Sequence, residues 1–244
     1  YWIKKNKIDA IYEKKKIDKN QLKNFILKVK KKEISGINVT VPFKKEVIPY
    51  LDILSPESEK TQSVNTIYLN NGKTVGHNTD IAGFELSIKK TKYDIVGKNI
   101  LILGAGGVVP SIILALYRMK VSNIIIINRN KLKANNLKYF FKDLTIADWQ
   151  NVPNFDMIIN ATSVGLHEGE KLDLDFSKLD NNKFFYDVIY NPKETDFLKT
   201  GKNLGNKVEN GAMMFIYQAH QSFTLWHKLM PEINDEVIKV VTND

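Results

Sequence analysis

Cysteine is absent from all 244 residues, which removes disulfide scaffolds, thiolate metal sites and cysteine nucleophiles together. Arginine is nearly absent as well: Arg118 and Arg129 are the only two in a chain with 36 basic residues. Readers of base edges and phosphate backbones rely on arginine forks, so the net charge of +9 argues poorly for a nucleic-acid partner. Long apolar runs are missing too. The longest, such as Ile124 to Ile127, are strand-sized, far short of the ~18 residues of a membrane span. No cationic leader with an apolar stretch opens the sequence, and the four histidines show no ligand spacing. The expectation is a cytoplasmic globular protein that needs no metal, no membrane and no nucleic acid.

Hydrophobic residues at 43% and charged residues at 26% are ordinary globular usage, which excludes disorder and collagen-like repeats. The length suits one large domain or two modest ones. The positive charge is local. Residues 1–50 carry 14 lysines against five acids, and the rest of the chain is neutral. Such a surface can steer anions, or it can simply be solvated.

The first 90 residues read as a compact α/β unit. Leu22, Phe25, Ile26 and Val29 fall at helical spacing within Lys19 to Lys32. Ile37 to Val41 is a short β-branched run stopped by Pro42. Val64 to Leu69, the tetrapeptide Asn70-Asn71-Gly72-Lys73 and the stretch from Thr74 form a hairpin with an Asn-Gly turn. Thr79-Asp80 then opens a helix running through Ile88. From Asn99 the pattern changes. Apolar strands at Ile100–Leu103, Asn123–Ile127, Met157–Asn160 and Phe184–Val188 alternate with helices near Pro110–Met119 and Lys131–Phe141. Strands apolar on both faces, alternating with helices, predict a doubly wound parallel sheet. Ala212 to Leu229 reads as one long closing helix.

Gly104-Ala105-Gly106-Gly107 sits between a strand and a helix, the context a dinucleotide fingerprint requires, although its third position is Val109 rather than glycine or alanine. Gly104 permits the tight turn, and Gly106 lets a pyrophosphate approach backbone N–H groups at the helix start. Alone, such a loop can be only a turn. The end of the second strand says more. Asn128-Arg129 stands where an NAD enzyme offers a carboxylate to the ribose hydroxyls. A guanidinium there binds a 2′-phosphate, so NADP is favoured over NAD, the alternative being a surface arginine. Asn160-Ala161-Thr162 ends a further strand, at the edge where ligands bind such sheets.

Three polar clusters remain: Asn38-Val39-Thr40-Val41-Pro42-Phe43-Lys44, Val64-Asn65-Thr66, and Gly76-His77-Asn78-Thr79-Asp80. Taken singly, Asp80 reads as a helix cap and Lys44 as a surface cation. Taken in order with Gly-Ala-Gly-Gly, Asn128-Arg129, Asn160-Ala161-Thr162, Tyr190-Asn191-Pro192, Gly211-Ala212-Met213 and Gln218, they resemble the shikimate dehydrogenase family along essentially the whole chain.

That resemblance implies two α/β domains flanking a cleft. Residues 1–80 plus 216–244 would bind substrate, and 81–215 would be a doubly wound, parallel-sheet, Rossmann-type NADP-binding domain. It implies reversible reduction of 3-dehydroshikimate to shikimate on the route to aromatic amino acids. Lys44 and Asp80 match the catalytic pair: the ammonium supplies positive charge and a proton to the developing alkoxide, and the carboxylate orients it. Thr40, Asn65, Tyr190 and Gln218, with Asp80, match positions that hold the substrate. Gly104, Ala105, Gly106, Gly107, Asn128, Arg129, Thr162, Val188 and Gly211 match cofactor positions, the last two beside the nicotinamide. The small-molecule substrate is the expected partner, in a monomer or homodimer.

The chain also departs from the family pattern. Members begin with a strand and a Ser-x-Ser-Pro segment whose serines hold the substrate carboxylate, whereas this sequence opens at Tyr1. The expectation is a truncated chain that binds NADP and turns over shikimate poorly through a raised KM. Thr61-Gln62-Ser63 replaces an Ile-Gly-Ala pattern, and Asn130 replaces a threonine. Alternatives are a quinate/shikimate enzyme preferring NAD, a folate-type dehydrogenase of the same plan, and a non-catalytic ligand sensor. Asn128-Arg129 argues against the first, the combined Asn-Thr-Asp, Tyr190 and Gln218 against the second, and retention of Lys44 and Asp80 against the third.

Overall fold

The computed structural model describes residues 1–177 and 179–242. A short helix α1 (Trp2–Lys5) opens the chain, and a 3-10 turn at Lys19–Gln21 leads into α2 (Leu22–Lys30). α2 buries Leu22, Ile26 and Val29, the apolar stripe that its spacing predicts. β1 (Gly36–Asn38) ends earlier than the β-branched run suggests. β2 (Ile53–Leu54) and α3 (Pro56–Thr61) follow, with Ser55 accepting from the Ser58 N–H as N-cap and Pro56 in the first turn. β3 (Thr66–Asn70) and β4 (Lys73–His77) form the expected hairpin. Asn71 and Gly72 at its tip have φ of 49° and 75°, the paired positive angles of a type I′ turn. The four strands lie in the order β1-β3-β4-β2, over a core of Ile26, Val29, Val39, Val47, Val64 and Ile67.

α4 (Asp80–Lys90) leads into the second unit. There β5 (Asn99–Leu103), α5 (Val109–Arg118), β6 (Asn123–Ile127), α6 (Lys131–Lys138), β7 (Thr145–Ala147), β8 (Met157–Asn160), β9 (Phe184–Asp187), α7 (Asp196–Asn203) and β10 (Lys207–Glu209) succeed one another. All six strands are parallel, in the order β10-β9-β8-β5-β6-β7. β5 is central, paired to β6 on one side and β8 on the other, so the glycine loop leaving it sits at the topological switch point. The apolar strands feed two cores. Ile100, Ile102, Ile124 and Ile126 pack with Phe84, Ile112 and Leu116 on one face. Leu101, Leu103, Ile125 and Ile127 pack with Phe155, Phe176 and Phe197 on the other. Each buried Ile or Leu contributes ~1.5–3 kcal/mol, which is why no polar residue interrupts these strands.

α8 (Ala212–His227) returns across α4. Gly83 makes the close crossing possible, since a Cβ there would lie 2.8 Å from the Met214 carbonyl. α9 (Asp235–Thr242) packs Val237 beside Met213 and Ile216, with Trp2 against the same cluster. The molecule is therefore a two-domain α/β structure with a Rossmann-type second sheet. Among the described residues no helix is long and apolar enough to cross a membrane.

Candidate active site

Lys44 lies in the turn that follows β1. Its carbonyl accepts the Val64 N–H at 2.8 Å, and the Asn65 carbonyl accepts the Val39 N–H at 2.8 Å, so the turn is sewn to the start of β3 on both sides. Asp80 is the first residue of α4, but it does not cap that helix. Asn78 Oδ1 accepts the Asp80 N–H at 3.1 Å, and Asn65 Oδ1 accepts the Thr79 N–H at 2.8 Å. Two neutral amides thus satisfy the helix start and leave the Asp80 carboxylate to look outward. Lys44 Nζ donates to Asp80 Oδ2 at 2.6 Å, and Asn65 Nδ2 donates to Asp80 Oδ1 at 2.9 Å. The lysine and aspartate side chains are only 14% and 8% exposed. An ion pair so withdrawn from water is held in one geometry, unlike the surface pairs along the rest of the chain.

A buried hydroxyl network carries α8 to the same place. Ser222 Oγ lies 2.7 Å from Thr66 Oγ1 and 3.2 Å from Thr79 Oγ1, and accepts from Asn38 Nδ2 at 3.1 Å. Gln218 sits one turn earlier on α8, its carbonyl accepting from Ser222 Oγ. Its own amide donates to the Phe215 carbonyl at 3.0 Å. Tyr190, from the loop after β9, stacks on Phe215 with ring centroids 4.5 Å apart, and burial pushes its hydroxyl pKa up. The structure thus joins Lys44, Asn65 and Asp80 directly, and gathers Tyr190 and Gln218 around Phe215. Thr40 stands exposed at the head of the Lys44 turn, its carbonyl accepting the Phe43 N–H.

The glycine loop adjoins this cluster. Asn78 Nδ2 donates to Ser111 Oγ on α5 at 2.8 Å, and Ser63 Oγ donates to the Gly107 carbonyl at 3.2 Å. The unusual Gln62-Ser63 pair is thereby explained: Gln62 adopts φ 49° to end α3, and Ser63 is a hydrogen-bonding link rather than misfit packing. Gly104 has φ 108°, and a Cβ on it would come within 2.9 Å of the Ala161 carbonyl and 3.1 Å of Thr162. Ala105 is half-buried, whereas Gly106 and Gly107 are exposed, with open space where a Cβ would project from Gly107. A backbone so uncovered at a helix start suits a pyrophosphate.

Beyond β6, Asn128 Nδ2 donates to the Asn130 carbonyl at 2.6 Å, and Asn130 caps α6 by accepting the Lys133 N–H. Arg129 between them is exposed, and among the described residues no carboxylate pairs with it. Arg118, in contrast, is committed to Glu57 at 3.0 Å and Glu85 at 3.7 Å. One of two arginines is therefore free to take a phosphate. Gly211 lies against Val188 so closely that any side chain would drive into the Val188 carbonyl, and its N–H donates to the Ile189 carbonyl at 3.0 Å. Exposed backbone at Gly106–Gly107 and an exposed Arg129 are the chemistry that the pyrophosphate and 2′-phosphate of NADP call for. A separate groove lined by Pro56, Glu57, Lys60, Leu114, Tyr117 and Arg118 contains none of these residues, and its arginine is already matched.

Residues 1–67 match the family model described as shikimate dehydrogenase substrate binding domain, and residues 85–194 match shikimate / quinate 5-dehydrogenase. The shikimate dehydrogenase (NADP(+)) of Pelagibacter ubique is 51% identical over 241 residues, covering 99% of this chain and 91% of the relative. The chain belongs to the shikimate dehydrogenase family. A crystal structure of a shikimate dehydrogenase in complex with NADP+ superposes with a TM-score of 0.89 at 32% identity, covering 100% of this chain and 88% of that one. The Thermus thermophilus enzyme, solved with NADP(H) and shikimate, gives 0.88 at 26% identity, with 99% and 90% covered.

Ser222 and Ser111 escape a reading of the sequence: they are single small hydroxyls that meet Thr66 and Asn78 across 156 and 33 residues, pairings that no local pattern announces.

Proposed function

We propose that this chain, a shikimate dehydrogenase using NADP, reduces 3-dehydroshikimate to shikimate reversibly, with Lys44 and Asp80 handling the proton. The observation that carries the residue assignment is the 2.6 Å Lys44–Asp80 pair, withdrawn from solvent and joined by two hydrogen bonds through Asn78 to Ser111 on α5, the helix that follows the glycine loop. NADPH, when bound, supplies a hydride to the ketone carbon. Lys44 Nζ donates the proton that the carbonyl oxygen takes up as its C=O becomes an alcohol, and recovers one in the reverse direction. Asp80 fixes the ammonium through Oδ2, while Asn65 holds Oδ1 so that the carboxylate cannot rotate away. Thr40, Tyr190 and Gln218, with Asn65 and Asp80, supply hydroxyl, phenol, amide and carboxylate groups to a polyhydroxylated ring, and a site built this way rejects analogues lacking those hydroxyls. Arg129 and Asn128 take the 2′-phosphate side of the cofactor, Gly104, Ala105, Gly106 and Gly107 its pyrophosphate, and Thr162, Val188 and Gly211 the nicotinamide half. Residues 1–80 with 216–244 form the substrate-binding unit and 81–215 the cofactor unit, in the cytoplasm.

The test is shikimate-dependent reduction of NADP+ by the parent chain and by Lys44→Ala, with quinate and NAD+ run in parallel. Turnover with shikimate and NADP+ that falls ~100-fold or more in the variant is the expected result for loss of a general acid. A variant as active as the parent refutes the assignment of Lys44, and faster turnover of quinate or NAD+ refutes the specificity.

A further inference from the structure

Asp187 closes β9 fully buried, and among the described residues no basic side chain neutralises it. Its oxygens are satisfied by neutral donors alone. Thr195 Oγ1 donates to Oδ2 at 2.6 Å, the Ile189 N–H to Oδ1 at 3.0 Å, and Asn160 Nδ2 to the two oxygens at 3.1 and 3.2 Å. A carboxylate without a counter-charge is a costly way to fill such a space.

What these donors share is their position. Asn160 turns its other end to the next loop, where Oδ1 accepts the Thr162 N–H at 3.1 Å and Thr162 Oγ1 at 2.7 Å. Thr162 in turn lies against Gly104. On the other branch, the Ile189 carbonyl accepts the Gly211 N–H, and Gly211 rests on Val188. Thr195 anchors the arrangement from the far side by capping α7 through the Leu198 N–H. One carboxylate therefore connects Thr162, Val188 and Gly211, three positions drawn from three separate loops.

We propose that Asp187 is a positioning residue which, through Asn160 and Ile189, sets the Thr162 and Val188 loops against the nicotinamide half of the cofactor. This rests on the cofactor placement proposed above. An amide nitrogen in place of Oδ1 would face the Ile189 N–H and Asn160 Nδ2, and in place of Oδ2 would face Thr195 Oγ1 and Asn160 Nδ2, so either orientation sets donor against donor and loosens a loop. Arg129 lies outside the network, and the glycine turn meets it only where Gly104 touches Thr162.

The experiment compares the parent with Asp187→Asn, Thr195→Val and Thr195→Ser. It measures kcat for shikimate-dependent NADP+ reduction, and the Kd of 2′,5′-ADP, which carries the 2′-phosphate and no nicotinamide. We expect kcat to fall ~100-fold in Asp187→Asn, the size of effect that a displacement of about 1 Å produces. Thr195→Val should fall in the same direction, Thr195→Ser should match the parent, and all three should bind 2′,5′-ADP as the parent does. Unchanged kcat in both Asp187→Asn and Thr195→Val overturns the proposal. So does a parallel loss of kcat and 2′,5′-ADP binding, which would make Asp187 a support of the whole domain. If Asp187→Asn does not fold, the two Thr195 variants decide by the same criteria. An inactive parent overturns the activity reading instead, and this proposal with it.

Discussion

Asn78 donates to Ser111 at 2.8 Å, and that bond ties the corner that carries Asp80 to the helix launched by the glycine loop. The same amide also reaches Thr61 Oγ1 at 3.1 Å and the Ser63 carbonyl at 3.0 Å, while Asn78 Oδ1 holds the Asp80 N–H. Position and stability of the acidic corner therefore share one side chain.

Ser111→Ala removes one of three acceptors around the Asn78 amide, so urea unfolding should show a loss of about 1 kcal/mol. Asn78→Ala strands the buried Ser63 carbonyl and the Asp80 N–H together, and should cost about 3 kcal/mol. The larger variant should also lower kcat, because it frees the turn that aims Asp80 at Lys44. Equal effects of the two substitutions would show that Asn78 matters only through Ser111.

Arg129 is the exposed arginine, and its removal should be felt by one cofactor only. A charge-assisted hydrogen bond is worth about 2 kcal/mol, so Arg129→Ala should raise the KM for NADP+ roughly 30-fold while leaving that for NAD+ where it was. Steady-state kinetics with both cofactors reads this directly. An equal rise for both would move the 2′-phosphate site elsewhere.

Legibility in the sequence followed burial. β5, β6, β8 and β9 are apolar on both faces and announce themselves, as does the stripe of α2. β7 and β10 are three-residue edge strands with an exposed Thr145 and Lys207, and α7 and α9, eight residues like α6, lack the readable apolar strands on both sides that mark α6 as a crossover helix. At the site, the glycine turn was readable because strand and helix flank it. The role of Asp80 was legible only through the family resemblance, since a cap and an ion-pair partner both call for a carboxylate in the first turn. Asn78 and Asn65 decide between them by taking the N–H groups, a tertiary arrangement that no spacing encodes. Asp187 and Thr195 stand eight residues apart across a loop, and their bond depends on how that loop folds back.

Gly211 begins α8 under the Val188 carbonyl. Gly211→Ala must push either the helix start or the β9 loop aside, and overpacking of this kind costs ~1–3 kcal/mol. Thermal unfolding should register that loss. Because Val188 and Gly211 are both assigned to the nicotinamide half, kcat should fall further than the KM for shikimate rises. A stable, fully active Gly211→Ala chain would mean that the loop has room to yield.

Asp187 also gives the fold a defined response to pH. Burial pushes its carboxyl up to about 6, from 3.8 in an unfolded chain. Below pH 3.8 both states hold the proton. Between there and about pH 6 the unfolded chain releases it while the native chain still binds it, so rising pH favours unfolding across that window. The raised pKa thus contributes stability in acid that is lost by neutrality, about 3 kcal/mol by the usual conversion. Asp52 works in the opposite sense: the Lys30 ammonium and the Thr74 N–H hold it down to about 2, so its contribution is lost as pH falls from 3.8 toward that value. The Asp52 window therefore lies below that of Asp187. Comparing urea unfolding of the parent and Asp187→Asn at pH 4.5 and pH 7.5 cancels the other groups that titrate there and isolates Asp187. The variant should gain on the parent as pH rises, and a difference that stays constant between the two pH values would show that Asp187 ionises in the native chain as readily as in the unfolded one.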